Sequence, residues 1–180
     1  MKPAWSVILL STLLGAGQGL FFALYGVELA VLKGARVAPD ASFYVWGAVL
    51  SVLLLAGGLA ASFFHLGHPE RAWRAAAMWR TSWLSREVIV LPAFLLAVAA
   101  WGHAHYAGYS CTPWIGAAAA LACLALFVCT SMIYIAIRFL REWSTPLTFV
   151  NFTLLGCASG GLLAAALAAL RAPAMVEPLA

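Results

Sequence analysis

The sequence predicts an all-α protein, an integral membrane bundle of about five transmembrane helices. Of its 180 residues, 65% are hydrophobic and 9% are charged, whereas a soluble domain carries about 25% charged residues. The apolar residues form five long runs with few charges, each longer than the roughly 18 residues that indicate a membrane span. These runs cover most of the chain, so we expect one transmembrane domain over residues 1–180 and no soluble domain.

The five predicted spans follow one another with short connections. They run over residues 5–32, 43–66, 85–107, 113–140 and 146–170. The first span follows Lys2, as a secretory signal would, but the apolar region of a signal is only about 7–15 residues long. This run is nearly twice as long and contains Gln18 and Glu28, so we interpret it as a retained helix.

Small residues recur at helical spacing in three of the spans. They allow helices to approach closely in a lipid environment, where no hydrophobic force drives them together. Gln18, between two of them, is a candidate for a hydrogen bond that links two helices. The small residues are Gly15 and Gly19 in the first span, Gly58 and Ser62 in the second, and Ser159, Gly160 and Gly161 in the fifth.

The basic residues and the cysteines exclude several classes of function. The sequence pI of about 9.1 reflects Lys and Arg at span ends, and the chain carries no nucleic-acid-binding motif. The four cysteines include no C-x-x-C pair, so the spacing needed for an iron–sulfur cluster or a zinc site is missing. We therefore expect no metal and no bound cofactor in this chain, and buried cysteines that pack as small hydrophobic residues.

The distribution of Lys and Arg predicts the orientation. With five spans, the N-terminus and the connections 67–84 and 141–145 lie on one side, which holds seven of the ten Lys and Arg residues. Lys and Arg accumulate on the cytoplasmic side of membrane proteins. We expect a multi-pass membrane protein with its N-terminus in the cytoplasm.

The connection between the second and third spans gathers much of the charge. Its sequence, FFHLGHPERAWRAAAMWRTSWLSREV (63–88), holds four arginines, two glutamates and two histidines. His65 shares a helix face with Gly58 and Ser62, so it is expected to point into the bundle, and Glu87 begins the third span. One connection joins the two, so both lie at the same membrane surface and can face one cavity. Ionisable residues at membrane depth are functional candidates.

Glu87 also has a simpler interpretation. A carboxylate in the first turn of a helix is stabilised by the helix dipole, and Ser82 or Ser85 can cap the same helix. Helix capping is therefore the alternative to a chemical role. Within the connection, Arg71 and Arg74 are three residues apart, which favours a short interfacial helix.

A His and a Glu at the wet edge of a lipid-embedded pocket suit a quinone. Quinol oxidation releases two electrons and two protons, so each headgroup oxygen needs a hydrogen-bond partner. A neutral His can accept one proton, a carboxylate can pass it to water, and a nearby Arg can stabilise an anionic quinol. We therefore add Arg71, Arg86 and Ser85 to His65 and Glu87 as candidate quinone-binding residues.

The same stretch carries a family resemblance. SFFHLGHPERAWRAAAMWRTSWLSREV (62–88), PAWSVILLSTLLGAGQGLFFAL (3–24) and IYIAIRFLREWSTPLTFVNFTLLGCASGG (133–161) resemble the DmsC family, the membrane anchors of dimethyl sulfoxide reductase-type molybdenum enzymes. The resemblance implies an anchor without haem or metal, which exchanges electrons between quinone or menaquinone and a four-cluster iron–sulfur subunit. That subunit serves a catalytic subunit with a molybdopterin cofactor. The family's quinone-site His and Glu correspond to His65 and Glu87.

The family pattern has eight helices, so the resemblance implies that this chain is incomplete at its C-terminus. One branch resembles sulfite-oxidising complexes, which send electrons into the quinone, whereas the oxide reductases draw electrons out. Exposed arginines on the His65 side are candidates for docking the iron–sulfur partner. These are Arg74, Arg80, Arg138 and Arg141.

Three other functions compete with a quinone-reactive anchor. A haem-b anchor needs two histidines at one depth on facing spans, and the sequence places His103 and His105 opposite His65. A transporter needs ionisable residues near the middle of the membrane, where this chain has almost none. A purely structural anchor would tolerate replacement of His65 and Glu87. His103 and His105, with Tyr106 and Tyr109, are predicted to form an interfacial belt.

Overall fold

The computed structural model describes residues 5–35, 38–63 and 69–172, and the side chains at 63 and 69–73 lie outside this description. Within these ranges the chain forms five long α-helices, each apolar enough to cross a membrane. They are α1 (Trp5–Leu32), α2 (Ala41–Phe63), α3 (Trp83–Ala107), α4 (Thr112–Ile135) and α5 (Pro146–Arg171). The predicted all-α membrane bundle is confirmed.

The two connections on the charged side contain local structure. A 3-10 helix, Pro69–Met78, occupies the first connection and matches the predicted interfacial helix. In the second, α4 ends at Ile135 rather than at residue 140. The chain then turns back, the N–H of Ile137 donates to the carbonyl of Tyr134, and the Trp143 ring packs edge-to-face on the Tyr134 ring. Hydropathy alone cannot separate such an apolar turn from a span.

Neighbouring helices in the chain run in opposite directions. A tight turn with Gly108 in the left-handed region (φ 69°) separates α3 from α4. Gly108 suits this position because it has no Cβ to clash there. Tyr44 on α2 packs against His105 late in α3, and Glu87 early in α3 contacts Thr130 late in α4. The chain thus passes up and down through the bundle.

Close glycine contacts join α1 and α5, which run in the same direction. Gly19 lies against Gly156 and Gly160, and a Cβ at Gly160 would collide with the backbone of Gly19. Gln18, beside this contact, donates from Nε2 to the carbonyl of Cys123 on α4 at 3.3 Å. The predicted packing is confirmed for Gly15, Gly19, Gly58 and Gly160, and so is the polar link through Gln18. It is wrong for Gly161, where a Cβ would meet nothing within 4 Å, and for Ser159, which is exposed.

The bundle has two ends with an apolar layer between them. The Glu87 end holds the starts of α1, α3 and α5 and the ends of α2 and α4; the Glu28 end holds their other termini. Between them, Phe21 packs edge-to-face on Phe94, with 5.5 Å between ring centroids, and on Trp101, with 5.4 Å. All three rings are fully buried. This layer separates the polar groups at the two ends.

Candidate functional site: a carboxyl-lined cavity beside the charged connection

Glu87 is a buried carboxyl in the second turn of α3, 7% exposed. Its Oε1 accepts a hydrogen bond from the Thr130 hydroxyl of α4 at 2.5 Å. Because a buried polar group without a partner is costly, this bond stabilises the inward direction of the carboxyl. Helix geometry brings the two together, since the start of α3 and the end of α4 meet at the Glu87 end.

Glu87 does not cap its helix. The side-chain oxygen of Ser82 is the N-cap of α3 and accepts from the backbone N–H of Ser85 at 3.4 Å. The Glu87 carboxyl instead faces α4 and the bundle interior. Ser82, and not Glu87, therefore caps α3, and the carboxyl of Glu87 is available for another role.

A cavity of about 150 Å³ opens beside Glu87. Its walls are mainly apolar, and its polar groups are the Glu87 carboxyl and the hydroxyls of Ser11, Thr130 and Tyr134. A few convergent polar groups in an apolar recess are typical of a ligand site. The lining residues are Val7, Leu10, Ser11, Leu14, Leu84, Glu87, Thr130, Ile133 and Tyr134.

Arg86 lies apart from this cavity. Its Nε donates to the carbonyl of Trp79 and its Nη2 to the carbonyl of Arg80, both at 2.9 Å, and its guanidinium lies 4.1 Å from the centroid of the Trp83 ring. These contacts tie the charged connection to the start of α3. Ser85 is buried, but neither it nor Arg86 lines the cavity.

Two predicted quinone-site residues fall outside what the structure describes. His65 lies in the undescribed segment 64–68, and the side chain of Arg71 is likewise outside. The described neighbours show where that segment attaches, since α2 ends at Phe63 and the 3-10 helix begins at Pro69. Both attachment points belong to the Glu87 end.

The candidate docking arginines are exposed at this same end. Arg74 and Arg80 lie on the first connection, and Arg138 and Arg141 on the second. Arg80 lies over the Trp79 ring at 5.3 Å. The structure thus brings the arginines to one membrane surface, beside the cavity and not within it.

A second recess, of about 370 Å³, lies between α1 and α5 at the Glu87 end. It is more polar, since Thr12, Glu142, Asn151 and Ser159 contribute to its walls. Ser11 lines both recesses, so the two lie on either side of one turn of α1.

Sequence reasoning missed the partners of Glu87. Thr130 is 43 residues away in the chain, and Tyr134 follows it one turn later on α4. The available signal was the polar run Cys-Thr-Ser at 129–131 inside an apolar span. Such hydroxyls commonly bond within their own helix, as Ser131 does to Phe127, so the run did not indicate a site.

The predicted interfacial belt is wrong for His105. His103 is exposed near Tyr106 and Tyr109 as expected. The side chain of His105 instead turns inward, is 11% exposed, and lies 3.3 Å from the Glu28 carboxyl. Two residues along a helix differ by about 200° in direction, so one histidine faces out while the other faces in.

Comparisons with known proteins agree with the resemblance found in the sequence. The profile of the family described as DMSO reductase anchor subunit (DmsC) matches residues 1–178. The chain is also 54% identical, over 182 residues, to a sulfite dehydrogenase subunit of Allochromatium vinosum. That similarity covers 94% of this chain and 56% of the relative, so the chain spans little more than half the relative's length. No solved structure matches the chain.

Proposed function

This chain belongs to the family of DMSO reductase anchor subunits, and we propose that it anchors an oxidoreductase complex and exchanges electrons with membrane quinone at the Glu87 cavity. One observation carries the proposal: a buried carboxyl, held by Thr130, lines an apolar recess at the end of the bundle where the charged connection lies. A proton-transfer group in this position would lie beside a lipid-soluble quinone and close to the membrane surface.

The size of the cavity limits what it can hold. At about 150 Å³ it is smaller than the roughly 300–1,000 Å³ of ordinary ligand pockets. A single ring-sized headgroup is the appropriate occupant, with its isoprenoid tail outside the recess among the helices and lipid. A benzoquinone headgroup meets this description, whereas the fused two-ring headgroup of menaquinone would enter the recess with only one of its rings.

Glu87 would exchange a proton with one headgroup oxygen. In quinol oxidation the carboxylate accepts the hydroxyl proton, and in quinone reduction the carboxyl donates it. Thr130 keeps the carboxyl directed at the recess in both cases. His65, two residues along the chain from the last residue of α2, is the proposed partner of the second oxygen.

The partner subunits would dock at the same end. The exposed arginines of the two connections form a positive surface beside the cavity, which suits an acidic face of an iron–sulfur subunit. Electrons would pass between the headgroup and that subunit, and on to a molybdopterin-containing catalytic subunit. Arg86 has a different part, since it holds the connection in place through two backbone carbonyls.

The name of the relative from Allochromatium vinosum supports one direction of electron flow. It is a sulfite dehydrogenase subunit by name, and oxidation of sulfite yields electrons. We therefore favour a sulfite-oxidising complex of a bacterial inner membrane, in which this anchor delivers electrons to quinone. Glu87 then supplies a proton to the reduced headgroup.

Binding of a fluorescent quinol-analogue inhibitor tests the proposal. Membranes that hold the assembled complex would be titrated for the wild type, Glu87→Gln and His65→Ala. We expect about a 10- to 100-fold loss of affinity in Glu87→Gln, because a hydrogen bond to a charged group contributes about 1.5–3 kcal/mol. His65→Ala should also weaken binding.

Glu142→Gln is the matched control. Glu142 is an exposed carboxylate at the same end and lines only the neighbouring recess, so its replacement should leave inhibitor affinity unchanged. Full affinity in both Glu87→Gln and His65→Ala, in complexes that assemble normally, would refute a quinone site here. The chain would then be a purely structural anchor.

A further inference from the structure

A second ionisable pair lies at the Glu28 end, far from the proposed quinone site. Glu28 on α1 is 5% exposed, and its Oε2 accepts from the indole N–H of Trp101 at 2.9 Å. Oε1 lies 3.3 Å from Nε2 of His105. A carboxyl and an imidazole buried together within a membrane bundle are candidates for function.

The contact between Glu28 and His105 is close but incomplete. Nε2 of His105 is buried and, despite the 3.3 Å separation, makes no hydrogen bond. The ring is fixed from its other faces, since it stacks on Tyr44 with 4.3 Å between centroids and meets the edge of Trp101 at 4.7 Å. A buried ring nitrogen therefore faces a carboxylate oxygen without a satisfied bond between them.

Other groups around the pair are accounted for. On α1, Tyr25 donates to the carbonyl of Pro113 at 3.1 Å, and on α4 Gly116 lies against Tyr25 and Trp101. Tyr44 is the titratable group that α2 contributes. The described charged residues at this end, apart from the pair itself, lie further out: Lys33 and Asp40 are exposed, and the Arg171 guanidinium lies over the Trp46 ring.

We propose that Glu28 and His105 form a proton-binding site that exchanges one proton with water at the membrane surface opposite the Glu87 cavity. With a neutral imidazole, the pair carries one negative charge on the carboxylate. Transfer of one proton from water to Nε2 forms an N–H bond and leaves an imidazolium–carboxylate pair with no net charge. No electron moves, and the new N–H donates to Oε1.

The pair lies near the end of the bundle opposite the Glu87 cavity. His105 is in the last turn of α3, its side chain is 11% exposed, and the residues that follow, 106–111, are exposed. Towards the interior, the buried rings of Phe21, Phe94 and Trp101 form an apolar layer. At about 1.5 Å per residue, the 18 positions from Glu87 to His105 span about 27 Å of α3. Protons at the two sites therefore exchange with opposite surfaces.

The low dielectric of the bundle interior favours proton uptake by the Glu28–His105 pair. A lone carboxylate in an apolar interior is costly, and pairing it with a cation in hydrogen-bond contact offsets that cost. Protonation also adds a bond between α1 and α3. When the proton is bound, the pair would thus strengthen the packing of α1 against α3 at the Glu28 end.

Infrared difference spectroscopy tests the proposal on the assembled complex in lipid nanodiscs. Spectra at about pH 5 and about pH 9, a range that brackets histidine titration, would be compared for the wild type and His105→Gln. We expect a pH-dependent imidazole band that disappears in His105→Gln. In Glu28→Gln that band should weaken, since the amide of Gln cannot form the imidazolium–carboxylate pair.

His103→Gln is the matched control, since His103 is two residues away and exposed. It should leave the His105 band unchanged. A wild type and a His105→Gln variant with identical pH differences would overturn the proposal, as would an unchanged imidazole band in Glu28→Gln. If neither isosteric variant assembles at any pH, the pair is a fixed structural ion pair, and the proposal is again overturned.

Inhibitor binding separates this inference from the proposed quinone function. Glu28→Gln and His105→Gln should bind the quinol analogue like the wild type, because the apolar layer insulates the two ends. Loss of binding in either variant would contradict independent sites. Loss of the quinone proposal alone, through Glu87→Gln, would leave the Glu28–His105 prediction standing.

Discussion

Thr130 sets the direction in which Glu87 points. Its hydroxyl is the described partner of the carboxyl, and both groups line the same recess. Without it, the carboxyl would stay buried with one hydrogen bond fewer and would adopt other rotamers. Thr130 is therefore a positioning residue for the proposed proton transfer.

Replacing Thr130 by Val removes the hydroxyl while nearly preserving the shape. We expect inhibitor affinity to fall about 3- to 30-fold, since hydrogen bonds between membrane helices contribute about 0.6–2 kcal/mol. Thr130→Ser, which keeps the hydroxyl, should restore most of the affinity. Titration of the quinol analogue into membranes with the assembled complex measures both.

Ser131→Ala is the control for Thr130→Val. Ser131 is the next residue, is fully buried, and donates only to Phe127 of its own helix. Its loss should not change inhibitor affinity. Equal effects of Thr130→Val and Ser131→Ala would show that general damage to α4, not the direction of Glu87, explains the result.

At the scale of elements, α1 is the helix that the others pack around. It contacts α2, α4 and α5, and its glycines allow the closest of these approaches, with Gly19 against Gly160. Because α1 also carries Ser11 and Glu28, its placement against α5 positions one wall of the Glu87 cavity. The same placement positions Glu28 in the Glu28–His105 pair at the other end. The two sites share this scaffold.

Gly160→Ala should destabilise the bundle. Its Cβ would overlap the backbone of Gly19 and Leu20, so α5 must move away from α1. We expect a loss of about 1–3 kcal/mol, the usual cost of overpacking, measured by unfolding of the full-length protein in a detergent titration.

Gly161→Ala is its matched control, since a Cβ there meets nothing within 4 Å. It adds the same methyl group to the same helix without a collision, so its stability should equal or slightly exceed that of the wild type. If both variants lose the same stability, the close contact between α1 and α5 is not the cause.

At the scale of the whole molecule, the two proposed functions lie at opposite ends of the bundle. The Glu87 end holds the cavity and the exposed arginines, and the Glu28 end holds the buried Glu28–His105 pair. Charge on the first end is spread over two separate connections, which only the fold brings together. A partner that contacts both connections would cover the cavity.

Charge reversal tests this docking surface. In Arg138→Glu/Arg141→Glu, we expect binding of the iron–sulfur subunit to weaken at least about tenfold, because charge complementarity steers and holds such interfaces. Binding of the wild type should weaken as salt rises. Co-purification of the subunits over a salt series measures both effects.

Arg171→Glu, an exposed position at the Glu28 end, is the control for surface charge in general. It should leave subunit binding unchanged. A double variant that binds its partner at full strength would remove these two arginines from the interface and place docking on other residues.

The sequence by itself determined the elements and the location of the charge. Lipid accepts helices and closed barrels, in which every backbone group is internally bonded, and long apolar runs select helices. The ends of α1 and α3 and the start of α5 were therefore predicted to the residue, and α4 was overestimated only where an apolar turn follows it. Glycine spacing and Gln18 predicted the close packing, since small or polar residues in a span have few other uses. The family motifs pointed to His65 and Glu87.

Only the tertiary structure decided which side chains meet. Lipid and protein interior are both apolar, so the hydrophobic pattern of a span does not reveal which face turns inward. The rotation and register of each helix therefore come from packing. Rotation and register bring Thr130 within hydrogen-bond distance of Glu87 and direct Arg86 away from the cavity. They also direct His105 towards Glu28, while His103 faces out. The periodicity of a single helix does not predict its rotation or its register, because both depend on the position of a neighbouring helix.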